Sequence, residues 1–85
     1  METLKILGDR LRELRKERNL KQKDMAEMLD VTLRHYQRME QGVVNIYSLT
    51  LCALADYFGV TTDYLLGRSA DRGAAPAGGP SSYES

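Results

Sequence analysis

Leucines recur at intervals of three and four near the start of the chain: Leu4, Leu7, Leu11 and Leu14. Asp9, Arg10, Arg12, Glu13, Arg15 and Lys16 fall between them. The spacing lines the leucines along one face and predicts an amphipathic helix over 3–18, with Ile6 and Gly8 near the same face. Arg18-Asn19 is expected to end it, because Asn accepts the left-handed conformation that closes helices. Leu20 then resumes the apolar set. A shorter helix is predicted over 22–29. Met25, Met28 and Leu29 form its apolar face, Ala26 is small, and Asp24 sits in the first turn, where the helix dipole favours a carboxylate. Thr32 is expected to cap a third helix over 33–40 and Gly42 to stop it. In that helix Tyr36 and Met39 supply a buried side, and Leu33, Arg34, Gln37, Arg38 and Gln41 point outward. Leu51, Leu54, Ala55 and Phe58 repeat the i, i+3, i+4, i+7 pattern, which predicts a fourth helix over 48–58 ended by Gly59. Thr61 caps a last short helix over 62–66, with Tyr64 and Leu65 inward and Gly67 after it. The methionines 25, 28 and 39 and Cys52 are expected in the core.

The pattern describes an all-α, five-helix domain over residues 1–67 with no strand. From Arg68 to Ser85 the chain is rich in Gly, Ala, Pro and Ser. Without apolar periodicity it has no burial to offset the entropy of ordering, so 68–85 is expected to be a disordered tail.

With 85 residues, 42% of them apolar and 28% charged, the chain has the balance of one small globular domain. Cys52 and His35 are the single cysteine and histidine. Neither an internal disulfide nor a metal site is expected, no cofactor or small-molecule ligand is implied, and no catalytic spacing supports an enzyme. No apolar run approaches the ~20 residues of a membrane span, and the first residues lack a secretory pattern, so a cytoplasmic location is expected. Net charge is zero, but residues 1–42 hold ten Lys/Arg against eight Asp/Glu, and 43–85 hold two against four. The basic bias lies where the short helices are, which permits a local nucleic-acid face of modest strength.

Two helices joined by a tight turn, the second polar on its outer side, form a helix-turn-helix pattern over Gln22–Gly42. Three stretches then resemble the lambda-repressor-like helix-turn-helix family of phage Cro and repressor proteins and bacterial xenobiotic-response-element-type regulators. Gln22, Asp24, Met25, Ala26, Leu29, Val31 and Thr32 fill its Gln-x-x-acid-apolar-Ala-x-x-apolar-Gly-Val-Ser pattern, with Asp30 in place of the glycine. Met39-Glu40-Gln41-Gly42 resembles the end of its recognition helix, and Leu54 to Gly67 its C-terminal signature. The resemblance covers residues 4–67. Four departures stand out beside Asp30: Ile46 where the family has proline, Tyr47 where it has a cap serine, Ser48 where it has a core leucine, and the large Tyr36. They point to repacking at the start of helix 4 and a changed tilt of the recognition helix.

The resemblance implies double-stranded DNA as partner, bound as a homodimer on a two-fold operator. It implies base reading by Leu33, Arg34 and Arg38. Gln22 and Thr32 are implied as backbone anchors, with Lys21, Lys23, His35, Gln37 and Asn45 as further backbone contacts. Glu40 is expected to pair with Arg10 or Arg15. The functional expectation is a transcriptional regulator of the repressor kind. The alternative is a protein-interaction module of the same fold, such as an antitoxin or anti-repressor.

Overall fold

A computed structural model of the chain describes residues 2–73, and five helices account for most of them: α1 (Glu2–Glu17), α2 (Gln22–Leu29), α3 (Leu33–Gln41), α4 (Ser48–Phe58) and α5 (Thr62–Leu65). No strand occurs among the described residues. The bounds differ from the sequence expectation by a residue at most at any helix end, as fraying termini do.

One device closes every helix. A left-handed residue follows α1 to α4 at Asn19, Asp30, Gly42 and Gly59, and Gly67 plays the same part just beyond α5. In each case the next residue's N–H bonds five residues back. The pairs are Leu20 to the Arg15 carbonyl, Val31 to Ala26, Val43 to Arg38, Val60 to Ala55 and Arg68 to Asp63, at 2.9–3.2 Å. This is the Schellman arrangement, which satisfies carbonyls that the helix itself leaves unpaired. Leu20, Val31 and Val60 then fold back onto the core. The N-termini are handled locally. Thr32 Oγ1 accepts from His35 N–H and Thr61 Oγ1 from Tyr64 N–H, each at 3.0 Å. Asp24 accepts from the Lys21 backbone N–H at 2.8 Å.

The core gathers Leu7, Leu11 and Leu14 of α1 with Met25, Tyr36, Met39, Leu54, Phe58, Tyr64 and Leu65. α1 lies against α3 and α5, α2 against α3, and α4 against α5. Gly8 sets how closely α1 and α3 approach. A Cβ there would meet the backbone of Met39 and Glu40, with the Met39 carbonyl oxygen at 2.8 Å.

Two core expectations are corrected. Met28 is 41% exposed, and Cys52 is exposed as well. On α2 the stripe narrows to Met25, Ala26 and the half-buried Leu29, leaving Met28 on the flank. On α4, Cys52 lies on the flank of the stripe formed by the buried Leu54, Ala55 and Phe58. Around the start of α4, Ile46 packs on the core in the position the family gives to proline, and Tyr47 precedes the helix with no side-chain cap.

The chain does not leave the domain at Gly67. Arg10 donates to the carbonyls of Tyr64 and Ser69. Arg72 makes a bidentate pair with Glu17 at 2.6 and 2.9 Å, and its carbonyl accepts from Thr61 N–H. Arg10 and Arg72 both stand over the Tyr64 ring, at 4.1 and 5.5 Å. The first residues of the expected tail are thus tied to α1 and α5. The rest of it, 74–85, lies outside the described residues.

Candidate nucleic-acid interface

The site is built around α3, and α3 is positioned by what it buries. Tyr36, Met39 and Glu40 are buried on its inner side. Glu40 receives Arg15 Nε on Oε2 at 2.6 Å and Arg15 Nη2 on Oε1 at 3.2 Å. Arg15 Nη1 also donates to the Leu20 carbonyl at 3.0 Å, so the guanidinium fork is occupied on three sides. Of the two partners proposed for Glu40 from the sequence, the structure selects Arg15.

Gln22 extends this pair toward the surface. Its amide nitrogen donates to Glu40 Oε1 at 3.1 Å, and its oxygen accepts from Gln37 Nε2 at 3.2 Å. A chain of polar contacts therefore runs Arg15–Glu40–Gln22–Gln37 and joins α1, α2 and α3. It orients Gln22: the carboxylate fixes which end of the amide faces inward, and the second N–H is left over for an external acceptor.

Electrostatics reinforce the arrangement. Burial acts to raise the Glu40 pKa, but hydrogen bonding to Arg15 and its neighbours outweighs it and holds the carboxyl below its ordinary value. Arg15 is raised chiefly by its bond to Glu40. Tyr36 has its hydroxyl buried without a hydrogen-bond partner. Burial first, and the Glu40 carboxylate second, push its phenol well above the usual range. A carboxylate locked in its charged form and a phenol locked neutral are poor proton-transfer groups at neutral pH.

The turn into α3 is three residues, Asp30 to Thr32. Asp30 takes φ 59°, ψ 46°, so the aspartate occupies the conformation the family assigns to glycine. Outward from the buried side, Leu33 is 43% exposed, and Arg34, His35, Arg38 and Gln41 are exposed. Among the described residues no carboxylate forms an ion pair with Arg34 or Arg38. Lys21 and Lys23 are exposed at the start of α2, and Thr32 at the start of α3. His35 and Asn45 share a groove of about 360 Å³ with Tyr47 and Thr50. Gln37 is half-buried and engaged with Gln22, a tie that sequence reasoning missed because the partners are 15 residues apart. It also missed a polar cleft of about 490 Å³ where Lys5 and Arg12 of α1 meet Gln22, Gln37 and Gln41. The seven-residue spacing of Lys5 and Arg12, two helical turns on one face, was the available signal.

Two short helices at a tight turn, the second locked from behind and polar in front, define a helix-turn-helix module. The profile of the helix-turn-helix family matches residues 11–65. The chain belongs to that family, in its lambda-repressor-like branch. Over 60 residues it is 40% identical to the HTH-type transcriptional regulator DdrOP3 of Deinococcus deserti, a span covering 71% of this chain and 46% of that protein. Over 68 residues it is 38% identical to the HTH-type transcriptional regulator AnsR of Bacillus subtilis, covering 80% of this chain and 59% of that one. An SPbeta prophage-derived uncharacterized HTH-type regulator, YonR of Bacillus subtilis, is 34% identical over 61 residues, covering 72% and 56%. The chain thus spans about half the length of the curated relatives it matches. No solved structure matches it significantly.

Proposed function

We propose that this chain is a sequence-specific, DNA-binding transcriptional regulator of the repressor kind, non-catalytic, acting on duplex DNA as a homodimer. The observation that carries the reading is the two-sidedness of α3. Its inner face is fixed through Glu40 to Arg15 and Gln22, while Leu33, Arg34 and Arg38 stand outward without carboxylate partners among the described residues. Such a helix enters a major groove with its orientation already set. Arg34 and Arg38, four apart, share one face and suit guanine O6 and N7, and Leu33 suits a thymine methyl. Gln22 offers its spare N–H to a phosphate. Thr32, Lys21, Lys23, His35, Gln37 and Asn45 supply further backbone contacts. The names of the relatives support the same reading.

Selection of bound sites from random duplexes, followed by affinity measurement, tests this. Arg34→Ala and Arg38→Ala should each cost ~1–3 kcal/mol on the selected site, with the loss concentrated at one base position. A double variant that binds the site as well as the parent overturns the assignment. The zero net charge favours a second reading, a protein-interaction module such as an antitoxin or anti-repressor. A salt titration separates them, because binding to DNA falls steeply with salt through counterion release and a mainly apolar protein contact does not.

A further inference from the structure

The segment 68–73 has the composition of a tail, yet its polar groups converge where the end of α1 meets α5. Two local turns shape it. Ser69 Oγ accepts from Asp71 N–H, and Asp71 Oδ1 accepts from Gly73 N–H, each at 3.0 Å. Side-chain turns of this kind bend a chain that has no helix or sheet to hold it. The bend brings Arg72 to a receptor of three parts. The carboxylate of Glu17, the last residue of α1, takes two guanidinium nitrogens at 2.6 and 2.9 Å. The Tyr64 ring centre lies 5.5 Å from the guanidinium carbon. Thr61 N–H donates to the Arg72 carbonyl at 2.9 Å. Gly73 follows at φ 86° and rests against Thr61, where a Cβ would collide with the threonine side chain.

We infer that Glu17, Tyr64 and the Thr61 N–H form an arginine-recognition site occupied in cis by Arg72, and that segment 68–73 is a latch that opens and closes while the domain stays folded. The chemistry selects arginine. Its planar fork pairs with both carboxylate oxygens and stacks on an aromatic face, and an ammonium does neither as well. Thr61 supplies a backbone donor that is otherwise spare, because an N-cap residue's N–H has no acceptor in its own helix. Arg10 reinforces the site. It stands 4.1 Å from the same ring and donates to the carbonyls of Tyr64 and Ser69, so one side chain of α1 holds both α5 and the strap.

The same contacts make the strap separable from the core. The side chains of Arg72 and Glu17 are 41% and 47% exposed, and an exposed pair is weak by itself and screened by salt. The core is held instead by buried apolar side chains. Opening the strap therefore belongs to the low-cost end of local motion. What closure secures is α5. A helix of four residues does not persist unaided, and the latch ties its cap residue and Tyr64 to the end of α1. None of this depends on DNA binding.

Amide hydrogen exchange at Thr61, followed by NMR on the full chain, reads the latch directly. The Thr61 amide should be protected in the parent and exchange about tenfold faster in Glu17→Gln, with the α1 amides of Leu11 and Leu14 at least about a hundredfold slower than Thr61 in both. Arg72→Lys should lose most of the same protection. Raising salt to about 1 M should speed Thr61 exchange in the parent and leave Glu17→Gln nearly unchanged. A Thr61 amide unprotected in the parent, or indifferent to Glu17→Gln, overturns the latch. Full protection in Arg72→Lys overturns the requirement for arginine. Equal rates at Thr61 and Leu11 in the parent overturn separate opening. Protection that rises with protein concentration means that the arginine comes from a second copy, and overturns occupation in cis.

Discussion

Removing Glu40 tests the central ion pair. Glu40 and Arg15 are 7% and 8% exposed. In Glu40→Ala the guanidinium keeps only the Leu20 carbonyl, and the Gln22 amide loses its acceptor. Leaving one partner of a buried pair uncompensated costs ~3–5 kcal/mol. A domain this small has a total stability near the low end of the usual range, about 5 kcal/mol. With a urea dependence of about 1 kcal/mol per molar, the midpoint should fall by roughly 3 M, to the edge of unfolding without denaturant. The assay is urea unfolding followed by far-UV circular dichroism, repeated on Arg15→Met and on Arg15→Met/Glu40→Leu. The double variant should recover to within about 2 kcal/mol of the parent, because two apolar side chains leave no buried charge. A cost below about 1 kcal/mol for Glu40→Ala would refute the reasoning, as would a double variant no better than the worse single one. The same pair fixes the direction with pH. A depressed folded-state carboxyl contributes stability that is complete above the unfolded value of about 4.3 and is lost as pH falls through the folded value. Acid should therefore weaken the parent, and Glu40→Gln should remove that part of the slope.

Gly8→Ala should destabilise by about 2 kcal/mol or more, seen as a drop of roughly 10 °C in melting temperature, because its Cβ meets the backbone of Met39 and Glu40 and neither can yield alone. Helix propensity by itself predicts a gain of about 1 kcal/mol, so an unchanged or higher melting point would exclude the close approach of α1 and α3. Asp30→Gly should leave stability equal or raise it by up to about 1 kcal/mol, since relief of the left-handed conformation competes with glycine's entropy. A loss beyond about 0.5 kcal/mol in denaturant unfolding would mean that the Asp30 side chain holds the turn in some other way.

Local rules were legible in the sequence. The left-handed residue followed by an apolar one at Asn19-Leu20, Asp30-Val31, Gly42-Val43 and Gly59-Val60 states where four helices stop, and Thr32 and Thr61 state where two begin. The core followed from the three- and four-residue stripes, because one side of each helix must meet the others. Contacts between distant segments were less legible. The role of Gly8 depends on how closely α3 crosses it, and helical periodicity is blind to interaxial distance. The link from Arg72 to Glu17 spans 55 residues and begins in a segment whose composition alone speaks for disorder. Cys52 and Met28 were misplaced for one reason. An apolar side chain on a short helix reads as core unless the width of the buried face is known, and that width is set by the neighbours.

The polar contacts also bear on how a chain of zero net charge would hold DNA. Without a large positive field it has little non-specific attraction to draw on, so its affinity would come from a few well-placed groups. Such groups contribute most when ordering them costs least at the moment of binding. Both ends of the Gln22 amide are engaged, by Glu40 and by Gln37, and Glu40 is held by Arg15. The ordering cost of that side chain is therefore met during folding. The buried pair then has two consequences, since it fixes α3 against α1 and aims a neutral donor at the surface. A neutral donor adds little to salt dependence, which would come instead from Lys21 and Lys23 at the backbone and from Arg34 and Arg38 at the base edges. On this argument specificity would rest on α3, and backbone anchoring on Gln22 and its neighbours.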